Sequence, residues 1–186
     1  MIDRAGELGL AKDIISKTFI GNHSMTMTQE SVGWIKVAVE ATNEFARQAL
    51  CFEEHVSSSN MGLMEEETPL SGSYLMLTCG EFQMEIGFLS SEKILMEIAR
   101  ILFVVTPEEV LPREDMIDAI KEVINIISGG VKCRLNDQIS GGITLSIPFF
   151  LEGKDVQEKN QDALIENIIV AGMPVSLYVR QQLVRN

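Results

Sequence analysis

The chain reads as an α+β layer fold, a mainly antiparallel sheet with long helices packed on one face. Three observations predict it. Residues 30–50 and 113–136 carry apolar side chains at steps of three and four, the period of a helix with one buried side. Residues 73–89 and 164–182 each hold two alternating runs joined by a short turn, which is how neighbouring antiparallel strands read. No Gly-x-Gly-x-x-Gly follows a strand and no Walker loop is present, so a doubly wound nucleotide-binding sheet lacks its mark. Short turns between successive strands then favour the antiparallel layer.

At 186 residues the chain is long enough for one sizeable core and short for two. Residues 29–186 are taken as a single domain and residues 1–28 as an N-terminal extension with a weak helical pattern over 11–20. The net charge of −12 leaves little to attract a phosphate backbone or an anionic membrane surface, so nucleic-acid binding is not expected. No apolar run is long enough to cross a bilayer, and the first residues carry acids where a signal peptide needs a basic start. The expected location is cytoplasmic. Cys51, Cys79 and Cys133 are odd in number and far apart, with no Cys-x-x-Cys pair, so neither a disulfide framework nor a zinc site is expected.

The elements follow in order. Trp34, Val37, Ala38, Ala41, Phe45 and Ala49 form the stripe of the first helix, with Ser31 as its N-cap. Residues 51–70 read as a strand, a loop and an acidic turn at Glu65, Glu66 and Glu67. The hairpin 73–89 turns at Gly80-Glu81, and Met84, Ile86 and Phe88 alternate so that one face is buried. Ser90 and Ser91 cap a helix with apolar positions Ile94, Leu95, Ile98, Leu102 and Phe103. Thr106-Pro-Glu-Glu109 has the form of a capping box opening a short turn that Pro112 ends. Beyond the long helix, Ile143, Leu145 and Ile147 point inward on a strand closed by Pro148, and Phe149, Phe150 and Leu151 are read as buried. Residues 154–161 are a polar loop, and the last two strands turn at Gly172-Met173.

The long helix 113–136 organises the rest. Met116, Ile117, Ile120, Val123, Ile124, Ile127, Val131 and Leu135 share its buried face, while Asp115, Asp118, Glu122 and Asn125 fall together on the opposite ridge. Gly129 follows Asn125 by one turn, and a residue without Cβ leaves that amide uncrowded. Familiar catalytic sets are missing: no Gly-x-Ser-x-Gly, no His-Glu-x-x-His, and two histidines, His23 and His55, with His55 read as a surface group. What remains is Glu122-Val-Ile-Asn125. Alone it is cheap, since Glu40-Ala-Thr-Asn43 repeats it on the first helix.

Its context is not cheap. The run from Asp118 to Leu135, preceded by the hairpin 77–89 and the helix 92–103 and followed by Ile143-Thr-Leu-Ser-Ile-Pro148, resembles the signature helix and surroundings of the CheX chemotaxis phosphatases. These are relatives of CheC and FliY, and the likeness spans roughly residues 30 to 182. It implies a phosphatase that removes phosphate from a CheY-like response regulator. Glu122 would pair with the receiver's active-site lysine, and Asn125 would orient a water for in-line attack. An amide suits that task because it both donates and accepts without changing protonation state. Asp118 and Gly129 would be supporting positions on the same helix face. Glu40 and Asn43 would be a second copy of the pair, weakened because Arg47 stands where Gly129 stands in the first. No cofactor of its own is implied, since Mg²⁺ is expected on the partner response regulator. The resemblance also implies a homodimer, and it leaves open a non-catalytic module that binds a receiver domain or another signalling partner.

Overall fold

The computed structural model describes residues 27–51, 57–58, 69–80, 82–106, 108–160 and 163–183. The extension, but for its last two residues, lies outside them, as do Glu65, Glu66, Glu67, His23 and His55. Four α-helices and seven strands are described: α1 (Met27–Ala49), β1 (Ser57–Ser58), β2 (Leu70–Cys79), β3 (Phe82–Ser91), α2 (Glu92–Phe103), α3 (Arg113–Leu135), β4 (Thr144–Leu145), β5 (Phe149–Glu152), α4 (Lys154–Asn160), β6 (Leu164–Val170) and β7 (Met173–Leu183). The strands form one sheet in the order β1-β6-β7-β3-β2-β4, with β5 also on β2, and every pairing is antiparallel.

Alternation decides which side of the sheet carries the core. Leu75 and Leu77 of β2, Met84, Ile86 and Phe88 of β3, and Val175, Leu177 and Val179 of β7 turn to one face. There they meet Trp34, Ala38, Ala41 and Phe45 of α1 and the buried stripe of α3. Helix α2 closes the same layer through Leu95, Ile98 and Ala99, and Ser91 caps it by accepting from Ile94 N at 3.4 Å. The predicted box is present too: Thr106 N donates to Glu109 Oε2 at 2.9 Å, and the Arg100 guanidinium donates to the carbonyls of Thr106 and Glu109 at 2.8 and 2.7 Å. Arg113 fixes the start of α3, pairing with Glu92 and with Glu152 at 2.6 Å each. No helix among the described residues is long and apolar enough to cross a membrane.

Several expectations need correction. Helix α1 begins at Met27, so Ser31 lies inside it and is not its cap. Phe103 is 51% exposed; it sits one residue past Leu102, and a step of about 100° carries it off the stripe. Ile147 is 71% and Phe149 43% exposed, against the inward reading of both. Here the register explains the error. Leu77 pairs with Leu145, but Tyr74 pairs with Phe149, so three residues of one strand face two of the other. That bulge reverses the parity of everything after Leu145, leaving Leu151 on the second face. Ser146 bridges the gap, its N donating to Met76 O at 2.8 Å and its Oγ accepting from Met76 N at 3.0 Å.

The segment read as a polar loop at 154–161 contains helix α4. Its single apolar residue, Val156, is buried against Leu89, Leu151 and Tyr178 on the face of the sheet opposite the long helices. One buried contact leaves no period to read, and the burial is tertiary. Strand β3 is likewise buried on both faces, because Glu85 on its second face is only 1% exposed. Tyr178 Oη donates to Glu85 Oε1 at 2.7 Å and Arg180 Nη2 to Glu85 Oε2 at 2.9 Å. Burial, and next the Glu85 charge, push the Tyr178 phenol well above its usual range.

Candidate functional site

Helix α3 presents its ridge because its other side is committed to the core. Met116, Ile120, Val123, Ile124, Ile127 and Val131 are fully buried, so Asp115, Asp118, Glu122 and Asn125 must point away from the sheet, and all four are exposed. Asn125 Nδ2 donates to Glu122 Oε2 at 3.4 Å, holding amide and carboxylate one turn apart. Asp118 is already paired with Lys121 at 3.3 Å, an exposed contact of small energetic consequence. The carboxylate of Glu122 and the amide of Asn125 are therefore the polar groups that this ridge offers side by side.

The two glycines beyond them have different reasons. A Cβ on Gly130 would lie 3.0 Å from the Ala41 Cβ and 3.3 Å from Arg134 Nη1, so this glycine lets α3 approach α1. A Cβ on Gly129 would meet nothing within 4 Å. Among the described residues, the space over the helix one turn past Asn125 is open. Nothing packed on it within the described residues requires a glycine there.

The second pair sits differently. Glu40 is exposed and Asn43 half-buried on α1, and Arg134 of α3 reaches between Glu40 at 3.9 Å and Glu44 at 2.7 Å. The Arg134 guanidinium also donates to Gly130 O at 2.9 Å and holds the Glu44 carboxyl below its usual range. Sequence reading missed Arg134, whose partner Glu44 lies ninety positions away and on another helix. It missed Glu85 for the same reason: the alternation of β3 marks position 85 as outward, and only the pairing with β7 brings Tyr178 and Arg180 to it. Among the described residues no three His, Cys, Asp or Glu side chains are grouped to hold a metal ion.

The family model of the chemotaxis phosphatase CheX matches residues 75–169. The chain belongs to the CheX family. Within that span lie Glu122, Asn125, Gly129 and the bulge at Ser146, while Glu40 and Asn43 fall before it. Solved structures of the CheX, CheC and FliY group share the fold. The CheX protein of Vibrio vulnificus is 12% identical, with a TM-score of 0.60 over 80% of this chain and 96% of its own. The CheX chain in a CheX–CheY–BeF3–Mg²⁺ complex from Borrelia burgdorferi is 17% identical, with a TM-score of 0.60 over 80% of this chain and 97% of its own. FliY of Thermotoga maritima is 13% identical, with a TM-score of 0.56 over 87% and 93%. A search of curated proteins returned no match.

Proposed function

We propose that this CheX-family protein hydrolyses the aspartyl phosphate of a CheY-like response regulator, with Glu122 docking against the receiver's active-site lysine and Asn125 orienting the attacking water. The observation that supports this most is the exposed Glu122–Asn125 pair on a long helix locked to the core, with open space over Gly129 for an approaching surface. The Borrelia relative, whose structure holds CheY with BeF3 and Mg²⁺, supports a CheY-like partner. In the reaction the water oxygen attacks phosphorus in line and the bond to the aspartyl oxygen breaks. The receiver's carboxylate leaves as the free anion, and the water's two protons end on the inorganic phosphate, which passes one to solvent according to pH. An acyl phosphate is already reactive and Mg²⁺ on the receiver carries the charge, so the phosphatase has only to position. A site of this kind needs neither a histidine nor a nucleophile of its own.

Glu40 and Asn43 take no part in this proposal, because Arg134 engages the carboxylate of Glu40 and Arg47 stands one turn beyond Asn43. The working compartment is the cytoplasm, where phosphorylated receivers are found, and the working assembly is a homodimer formed through the sheets. Light scattering at micromolar concentration is expected to give twice the chain mass; the monomer mass would remove the dimer.

The central test follows decay of a phosphorylated CheY-type receiver with and without the protein. Accelerated decay is expected. Binding without acceleration would leave the second reading, a module that docks receivers and does no chemistry. Glu122→Lys is expected to reduce receiver binding about tenfold or more by reversing the docking charge. Gly129→Ala separates docking from folding. Alanine in a helix interior is worth about 0.5–1 kcal/mol over glycine, and here its methyl meets no neighbour. The variant is expected to melt higher, yet to lose at least about fivefold in stimulated decay as the methyl intrudes on the docked surface. Full activity in Gly129→Ala would remove the close approach.

A further inference from the structure

We propose that Ile126, with the open step at Gly129 beside it, seats an apolar side chain of the docked receiver and sets which receivers this protein accepts. The inference rests on the docking reading above and adds a contact to it. Ile126 is 41% exposed on a helix whose Ile120, Val123, Ile124 and Ile127 are all buried. Leaving this much of a large aliphatic side chain in water forgoes part of the main favourable term in association. Its place is specific. It follows Asn125 directly, lies one turn beyond Glu122, and is three residues before Gly129, so all four share one patch of helix surface.

Gly129 completes the seat. Gly130 is explained by its contact with Ala41, whereas a Cβ on Gly129 would touch nothing inside 4 Å. A helix-interior glycine costs stability, and here no neighbouring element within the described residues needs it. The result is an aliphatic ledge with a low floor next to the amide. Charge limits what surrounds the incoming apolar group: Asp115, Asp118 and Glu122 line the same helix, so the receiver's rim around it must be cationic or neutral. The polar pair would read what every phosphorylated receiver shares, the phosphoryl group and its lysine. Discrimination between receivers needs a contact with residues that differ among them, and a single buried aliphatic anchor can supply it.

The probe is a CheY-type receiver, loaded with beryllofluoride and Mg²⁺ for binding and phosphorylated for kinetics. Ile126→Asp is expected to weaken binding and to raise KM about tenfold or more, the loss of burying one large aliphatic side chain. The same variant is expected to keep kcat within about twofold, because Asn125 still positions the water. Ile126→Leu is expected to restore KM, and both variants should melt with the wild type. Unchanged KM in Ile126→Asp, with an active wild type, overturns the seat and leaves the docking reading standing. A lowered melting temperature with kcat and KM both damaged also overturns it, marking Ile126 as part of the core. Failure of the wild type to bind the loaded receiver overturns the docking reading, and the seat with it.

Discussion

Asn125→Ala is expected to abolish most of the stimulated decay of a phosphorylated receiver, by about a hundredfold or more, while receiver binding stays near wild type. The size follows from the role. Removing one fixed donor aimed at a reacting group costs about 10² to 10³ in rate, and placing a water in line belongs to the same class of effect. The separation from binding follows from the geometry. Asn125 is exposed, and its one described hydrogen bond, to Glu122 at 3.4 Å, is long, so neither the helix nor the core depends on it. A change at such a surface position is expected to move stability by less than about 0.5 kcal/mol. Decay of the phosphorylated receiver and titration with its beryllofluoride form measure the two quantities separately. Unchanged decay would remove Asn125 from the chemistry. Equal losses in binding and decay would make it a docking residue.

Gly87→Ala should destabilise the sheet strongly. Gly87 pairs with Tyr178 across β3 and β7, and a Cβ at position 87 would lie 1.9 Å from Tyr178 Cε1. The ring must leave, and with it goes the 2.7 Å hydrogen bond that its hydroxyl donates to Glu85. Glu85 is 1% exposed and would keep Arg180 while losing a neutral donor and the ring that covers it. Overpacking combined with a partly unpaired buried carboxylate is expected to cost about 3 kcal/mol. For a chain of this length that is a fall of about 10 °C in melting temperature. Tyr178→Phe keeps the ring and loses only the hydroxyl, so it should cost about 1–2 kcal/mol. A Gly87→Ala protein that melts with the wild type would show that the ring relocates freely and that the Glu85 cluster contributes little. The two glycine variants are expected to change stability with opposite signs, because one side chain meets a ring and the other meets open space.

The parts of the fold legible in the sequence are those where one residue's neighbours are close along the chain. The stripe of α3 and its opposite ridge needed only the helical period, and the exposure of Glu122 and Asn125 follows from the burial of Val123, Ile124 and Ile127 around them. The capping box at Thr106 and the Ser91 cap are likewise spans of three residues. Illegible were features set by register. The bulge at Ser146 shifts pairing by one position, and that single residue turned Ile147 outward and Leu151 onto the second face. Val156 was unreadable because its helix carries one apolar residue, buried by strands from elsewhere.

Local periodicity and turn chemistry were thus enough to specify α1, α2 and α3, the hairpins and the outward pair on α3, since each depends on steps of two, three or four residues. Three-dimensional packing alone decided that Arg134 clamps α3 to Glu44, that Glu85 is buried beneath Tyr178, and that Gly130 is spent on helix packing while Gly129 is left open. Those outcomes join residues tens of positions apart, where the energy of a contact depends on which surfaces the assembled sheet and helices bring together.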